Sequence, residues 1–155
     1  MKAVNLHLLT RIRDCRAMSL LYQSLSGKDS LKLISPHEAA SLCALADHIS
    51  TEDGDDLPLS LLDGFFFSYI IEHIGKEFDL LKISSDGECV LNIELKSEDI
   101  GEDKIKKQLE QNRYYLSHVS RTIFSFTYVM DTDTLYHMND RGYLREAGFH
   151  ELIDV

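Results

Sequence analysis

The chain has 155 residues, of which 44% are hydrophobic, so it is long and apolar enough to form one domain around a single core. Its net charge of −10 argues against tight, autonomous binding to nucleic acid. No apolar run approaches the roughly 18 residues that a transmembrane helix needs, and early basic residues such as Lys2, Arg11 and Arg13 exclude a secretory signal peptide.

The three cysteines lie far apart in apolar segments of the chain. Cys15, Cys43 and Cys89 have neither the spacing of a zinc site nor an even number that could pair fully in disulfides. This usage is typical of reduced thiols, and it predicts a cytoplasmic protein.

The sequence predicts that the first half of the chain is mainly helical. Apolar residues at helical spacing predict a helix from Asn5 to Leu25. Ser35 and Glu38 have the spacing of a capping box, with Pro36 in the first turn, so a second helix should run to about Ile49. These helices form a predicted N-terminal extension, residues 1–50. An acidic loop over 51–56 follows, and then an apolar helix from Leu59 to Ile74.

The second half alternates strands and helices. Two apolar runs, Phe78–Ile83 and Cys89–Lys96, flank an Asp86-Gly87 turn signal and predict an antiparallel hairpin. The remaining predicted elements are a helix over 104–119, strands over 122–130 and 134–138, and a closing helix over 143–155. This order predicts an α/β fold in which helices flank a mixed β-sheet, with the main domain spanning residues 51–155.

Three charged side chains stand out on the predicted hairpin. Asp79 opens its first strand, and Glu94 and Lys96 close the second, so the three should meet at one end. The simpler interpretation is a surface hairpin with one ion pair. A carboxylate at position 79 between Phe and Leu would be costly to bury without a function, which favours a site. Two carboxylates suit Mg²⁺ or Mn²⁺, and a lysine can hold a phosphate or an attacking water.

These residues resemble the motif of the PD-(D/E)xK nuclease superfamily. The matching segments are Glu77-Phe78-Asp79-Leu80-Leu81 and Ile93-Glu94-Leu95-Lys96-Ser97, and they look most like the nuclease-related or RecB-like branch. No proline precedes Asp79, and members of the superfamily often lack this proline. The resemblance implies a restriction-endonuclease-like core, with Asp79 and Glu94 as ligands of Mg²⁺ or Mn²⁺ and Lys96 as the catalytic lysine.

The resemblance implies two further catalytic residues on helices. An acidic residue often lies on a helix before the first strand, and here Glu72 would fill that role on the predicted helix 59–74. A glutamine often lies on the helix after the Glu-x-Lys strand, here Gln111, followed by Tyr115 at the Gln-x-x-x-Tyr spacing. Glu77 competes as a ligand, because it could share a face with Asp79.

The predicted helix over 104–119 concentrates basic charge in an acidic protein. Residues 51–103 carry a net charge of −12, whereas residues 104–121 carry five basic residues and one acidic residue. We therefore expect this helix to contact nucleic acid. The candidates are Lys104, Lys106, Lys107, Gln108, Arg113 and Tyr115.

The sequence thus predicts a divalent-metal-dependent nuclease domain that hydrolyses DNA, as in phage defence or DNA repair. It could be the nuclease module of a longer protein, with affinity supplied by a helicase or ATPase partner, a missing domain or self-association. The alternative is a non-catalytic interaction domain with a nuclease-like fold, which associates through its N-terminal helices. Neither reading involves a membrane.

Overall fold

The computed structural model describes residues 1–51 and 59–155. It has an α/β architecture in which helices cover both faces of a six-stranded mixed sheet, as the order of elements predicted. All but the first residue of the predicted acidic loop lie outside the described residues. Within the described ranges, no helix has the length and apolar character needed to cross a bilayer.

The N-terminal helices differ from the prediction in one break. The predicted helix from Asn5 to Leu25 is two helices, α1 (Leu6–Thr10) and α2 (Cys15–Ser26). The break falls before Asp14, whose carboxylate accepts a hydrogen bond from the Ala17 N–H at 2.8 Å and so starts a new helix.

Helix α3 (Pro36–Thr51) forms as its capping signals predicted. The Ser35 hydroxyl accepts from the Glu38 N–H at 3.2 Å, and the Glu38 carboxylate accepts from the Ser35 N–H at 2.9 Å. This reciprocal pair satisfies two N–H groups at the start of the helix. It also fixes Glu38 at the start of α3, which matters for the site described below.

The prediction of a helix from Leu59 to Ile74 was wrong. A short 3₁₀ helix spans Leu59–Leu62, and strand β1 spans Phe65–Ile71. Between them lies Gly64, whose φ of 81° ends the helical turn. Aromatic and β-branched residues dominate β1, and such residues favour a pleated, half-buried strand over a helix. The apolar run was too short to distinguish a buried strand from a buried helix by periodicity.

The sheet places its strands in chain order from β1 to β6. Strands β2 (Lys76–Ile83) and β3 (Cys89–Lys96) form the predicted hairpin. Helix α4 (Glu102–Leu116) then crosses one face, so that β4 (Thr122–Val129) returns parallel to β3. Every other neighbouring pair of strands is antiparallel.

The C-terminal segment is a strand followed by a short helix, so the predicted closing helix over 143–155 was wrong. Strand β5 (Thr134–Met138) pairs with β6 (Leu144–Ala147), and helix α5 spans His150–Ile153. Gly148 separates the two elements. Arg145 of β6 donates to both carboxylate oxygens of Glu151 in α5, at 2.9 and 2.6 Å.

Two apolar layers hold the helices against the sheet. On one face, α1, α2 and α3 share a large cluster with sheet residues such as Phe67, Leu80 and Ile93. On the other face, α4 contributes Leu116 to one smaller cluster and Ile105 and Leu109 to another. The helices of residues 1–50 therefore share one core with the sheet, because their buried side chains pack directly on it.

The turn between β1 and β2 offers a test of the strand assignment for residues 65–71. Gly75 closes this turn with a φ of 63°, and a Cβ atom there would have open space around it. We expect Gly75→Ala to lower the free energy of unfolding by about 1 kcal/mol, because only the backbone conformation is penalised. Gly75→Asn should cost less, since asparagine tolerates this region. Urea unfolding checks both, and equal stability for all three proteins would contradict the hairpin.

Candidate active site at the split between two strands

Strands β2 and β3 separate at the level of Asp79. Their register runs from Ile83 opposite Val90 up to Leu80 opposite Ile93 and extends no further. The first residues of β2 pair with β1 alone, whereas β3 stays paired with β4 through Lys96. The divergence opens a cleft between one end of β2 and one end of β3, and the predicted trio of charged side chains lies there.

A kink in β1 accompanies this split. Ser68 has a φ of 52°, and the ladder with β2 skips it, passing from Phe67 opposite Leu80 to Tyr69 opposite Phe78. Phe66 and Ile71 both pack on the α4 side, although they are five positions apart and regular alternation would send them to opposite faces. Phe78 and Leu81 of β2 also share that side. The alternation therefore breaks in both strands, and Asp79 lies opposite the kink.

Asp79 bridges the gap that the split leaves. Its Oδ2 accepts the backbone N–H of Leu95 at 2.8 Å, a donor that a continuous ladder would have paired with β2. The same oxygen lies 4.0 Å from Lys96 Nζ. No hydrogen bond within the described chain uses the other carboxylate oxygen, and the side chain is 28% exposed, so Asp79 can still accept a ligand from solvent.

Glu94 is the buried member of the trio, with 1% of its surface exposed. Its Oε1 accepts from Asn112 Nδ2 at 2.6 Å and from Asn92 Nδ2 at 3.3 Å. Its Oε2 accepts from Gln108 Nε2 at 2.5 Å and lies 3.7 Å from Lys96 Nζ. Such dense donation is what allows a carboxylate to be buried.

Burial is the largest cause of a rise in the pKa of Glu94 to about 7, and the negative charge of Asp79 is the second cause. The Lys96 ammonium and the amides of Asn92 and Asn112 oppose this rise. Burial and the Asp79 charge together raise the pKa more than these three groups lower it. The single ammonium of Lys96 has to serve two carboxylates, which limits how far it can lower the pKa of either. A divalent cation beside both carboxylates would favour the charged form of Glu94.

A small cavity of about 90 Å³ lies on the α3 side of Asp79. It is lined by His37, Glu38, Ser41, Phe67, Asp79, Leu95 and Ser97. Glu38 therefore lies on a helix that precedes the first strand and borders the same cavity as Asp79. Sequence reasoning assigned Glu38 only a capping role; its position at the start of the helix before β1 was the available signal.

Glu72 does not occupy the position predicted for it. It lies in the exposed turn between β1 and β2, because residues 65–71 form a strand and no helix carries it. It borders a separate groove beside Lys28 and Asp29. The helical acidic residue of the predicted constellation is therefore better matched by Glu38.

The helix residues at the site also differ from the prediction. Gln111 is exposed on α4 and makes no described contact with the trio. Gln108 and Asn112, one turn apart, face the sheet and bind Glu94 instead. Asn92, two residues before Glu94 on the same face of β3, completes the set. Its spacing from Glu94 was a signal that sequence reasoning left unused.

The residues predicted to bind nucleic acid divide into two groups. Lys104 and Lys107 are exposed, and Lys106 lies 3.9 Å from Glu110. Arg113, in contrast, donates to the backbone carbonyls of Asn139 and Met138, and so anchors α4 to the end of β5. Tyr115 packs against the apolar cluster under α4, and Gln108 is engaged with Glu94. The exposed face of α4 carries Lys104, Lys107, Gln111 and Tyr114, the last 65% exposed.

Glu77, the competing ligand candidate, belongs to a different cluster. It pairs with Lys32 at 2.5 Å and accepts from the Ser68 hydroxyl. Lys32 also lies 3.4 Å from Glu38 and donates to Ser68. Burial raises the pKa of Glu77, but the bonds to Lys32 and Ser68 outweigh it, so the net pKa is lowered. This network fixes the kink opposite Asp79 and leaves Glu77 engaged elsewhere.

The donor set at the split is compatible with a magnesium or manganese ion. Within residues 1–51 and 59–155, no group of three Asp, Glu, His or Cys side chains converges as a metal cluster. Mg²⁺ is commonly held by one or two carboxylates and completes its octahedron with waters, so the two carboxylates of Asp79 and Glu94 are enough ligands for this ion.

Comparison with known proteins gave no match: no protein-family model, curated protein or solved structure matches the chain.

Proposed function

We propose that this chain is a divalent-metal-dependent nuclease domain that hydrolyses phosphodiester bonds of DNA. The observation that supports the proposal is the meeting of Asp79, Glu94 and Lys96 where β2 and β3 separate. The acidic residue lies on one strand and Glu-x-Lys on the next, as in the PD-(D/E)xK superfamily. The antiparallel β2–β3 pair followed by the α4 crossover to a parallel β4 supports the proposal of a restriction-endonuclease-like core.

In this mechanism the protein groups have separate roles. Asp79 and Glu94 would hold Mg²⁺ or Mn²⁺, which supplies Lewis acidity and a nucleophile from bound water. Lys96 is within 4.0 Å of both carboxylates, so its ammonium can hold the scissile phosphate close to the metal ligands. Its positive charge would stabilise the negative charge that develops on the phosphate in the transition state. Glu38, on the cavity beside Asp79, is the candidate for a third carboxylate.

The DNA would approach from the open side of the split. Lys104 and Lys107 on the exposed face of α4 are the cations available to contact its backbone. They are few in a chain of net charge −10, so binding through them should be weak and should depend only shallowly on the salt concentration. A helicase or ATPase partner, a further domain or a second copy would supply affinity that this chain lacks.

The direct test is cleavage by the purified chain. Supercoiled plasmid and single-stranded DNA are incubated with Mg²⁺, Mn²⁺ or EDTA, and the products are resolved on gels. Nicking or degradation that requires the metal supports the proposal. Two substrates are needed, because the trio does not distinguish paired from unpaired strands.

A second function has an observation in its favour. Lys96 lies within 4.0 Å of both carboxylates and offsets part of their negative charge without any metal, and the N-terminal region exposes Leu8, Leu20, Leu31 and Leu33. A nuclease-like domain that associates through these leucines and does not cut DNA would fit both facts. Light scattering and Mn²⁺ titration separate the functions: self-association without metal binding supports the second, and metal binding supports the first.

A further inference from the structure

A pair of buried amides lies beneath the proposed metal ligand. Asn92 on β3 and Asn112 on α4 are both fully buried. Asn112 Nδ2 lies 3.0 Å from Asn92 Oδ1 and 2.6 Å from Glu94 Oε1. The interface between α4 and the sheet is apolar on both sides of Asn112, where α4 buries Leu109 and Leu116. Buried amides in such an interface are costly unless their hydrogen-bond partners are fixed.

The two oxygens of Glu94 face different surroundings. Oε1 is enclosed by Asn92 and Asn112, whereas Oε2 faces Gln108 and Lys96. One oxygen is therefore held by the protein interior, and the other is presented to the cleft. Because the carboxylate is planar, fixing Oε1 also fixes the direction of Oε2.

The orientation of the Asn112 amide follows from this arrangement. Its nitrogen points to two acceptors, and a reversed amide would place Oδ1 against the carboxylate of Glu94. This orientation lowers the stability of the fold, because it leaves Asn112 Oδ1 buried without a hydrogen-bond partner in the part of the chain that the structure describes. An unpaired buried acceptor costs roughly 1–3 kcal/mol. The contact with Glu94 is thus kept at the expense of stability.

We propose that Asn112, held by Asn92, is a positioning residue that locks Glu94 so that its Oε2 is directed at Lys96 and the metal. This inference rests on the proposed nuclease function, and it assigns Asn112 no contact with the metal or with DNA. Residues that orient metal ligands from behind typically change metal affinity or activity by about 10–100-fold when they are mutated.

The test compares three variants of the full chain. Asn112→Ala removes the amide, and Asn112→Asp keeps its shape but sets a carboxylate against Glu94. Thr127→Val is the matched control: Thr127 is paired with Glu94 across β3 and β4, and its buried hydroxyl has no partner among the described residues. Circular dichroism first establishes that each protein is folded.

We expect both Asn112 variants to bind Mn²⁺ about 10–100-fold more weakly than wild type, and to lose kcat for DNA cleavage by a similar factor. KM for DNA should stay within about twofold, because ground-state DNA binding is not altered. Excess Mn²⁺ should restore part of kcat in Asn112→Ala, which a general packing defect would not allow. Thr127→Val should match wild type in all of these measurements.

Failures of the two proposals are distinguishable. A wild type that cuts DNA beside an Asn112→Ala variant with equal Mn²⁺ affinity and kcat would overturn the positioning role alone. A folded wild type that neither binds Mn²⁺ nor cuts would overturn the nuclease and the positioning role together.

The hydrogen bond from Asn112 to Glu94 can also be tested directly, by the exchange of the Asn112 side-chain amide protons with solvent. Slow exchange is expected, and exchange as fast as that of an exposed asparagine would also overturn the role.

Discussion

Lys96→Ala should lower metal-dependent DNA cleavage by about 10²–10³-fold, the usual cost of removing one group that stabilises transition-state charge. The ammonium of Lys96 lies 3.7 Å from Glu94 and 4.0 Å from Asp79. An alanine at position 96 has no cationic group that could contact the phosphate. The fold should persist, because Lys96 is the last residue of β3 and belongs to none of the apolar clusters that hold the helices on the sheet. Initial rates on plasmid, with saturating Mg²⁺ or Mn²⁺, measure the effect.

Two companion variants sharpen this experiment. Asp79→Asn keeps an oxygen for the Leu95 N–H but removes the anionic ligand, so it should lose cleavage and weaken Mn²⁺ binding together. Lys2→Ala removes an exposed lysine near the start of the chain that has no described contact with the trio, and its rate should equal that of wild type. If both Lys96→Ala and Asp79→Asn cut DNA as fast as wild type, the assignment of the site is wrong.

The metal-free protein should lose stability as the pH rises from about 4.5 to about 7, through the titration of Glu94. The pKa of Glu94 is about 7 in the folded chain, against an ordinary value of 4.5. Between these values the folded state holds a proton that the unfolded state has released, so raising the pH favours unfolding. Above pH 7 the loss is complete, and it amounts to roughly 3 kcal/mol at most.

Urea unfolding of wild type and Glu94→Gln, from pH 4.5 to 8, measures this loss. Glutamine does not titrate, so the stability difference between the two proteins should change with pH over this window and level off above pH 7. The comparison is needed because the pKa of His137 is lowered, chiefly by burial, which makes stability rise with pH in part of the same range. A stability difference that is independent of pH would contradict the raised pKa of Glu94. Saturating Mg²⁺ should restore stability at pH 8 in wild type alone.

Local sequence signals predicted elements whose ends and faces are marked by particular residues. The Ser35–Glu38 capping box marked the start of α3, and the alternation of apolar and polar residues at the end of Cys89–Lys96 marked β3 and the face that packs on the N-terminal helices. The signals failed where apolar residues run without alternation. Phe65–Ile71 is buried on both faces at its start, so its pattern resembles that of a buried helix. Leu144–Ala147 is too short to show a period, and its pairing with β5 decides its conformation.

The members of the site were predicted where they lie on one hairpin. Asp79, Glu94 and Lys96 came together because the hairpin brings one end of β2 beside one end of β3, and the Asp79 carboxylate spans the remaining gap to the Leu95 N–H. Glu72 and Gln111 were assigned from their order along the chain, and the structure brings Glu38 and Gln108 to the site in their place. Which residue of a helix faces a site depends on how the helix is rotated against the sheet, and a one-residue change turns the side chain by about 100°.

The sequence alone determined the α/β architecture, the hairpin and the charged trio at its end, because these depend on local spacing and on alternation along two neighbouring strands. The tertiary structure decided the rest. The kink at Ser68 and the split at Asp79 arise from contacts between distant segments, among them Lys32 with Ser68 and Glu77. The burial of Glu94 beneath Asn112 depends on how α4 packs over β3 and β4. Packing of this kind sets the raised pKa and the direction of the ligand, since burial and hydrogen bonding are properties of the folded chain.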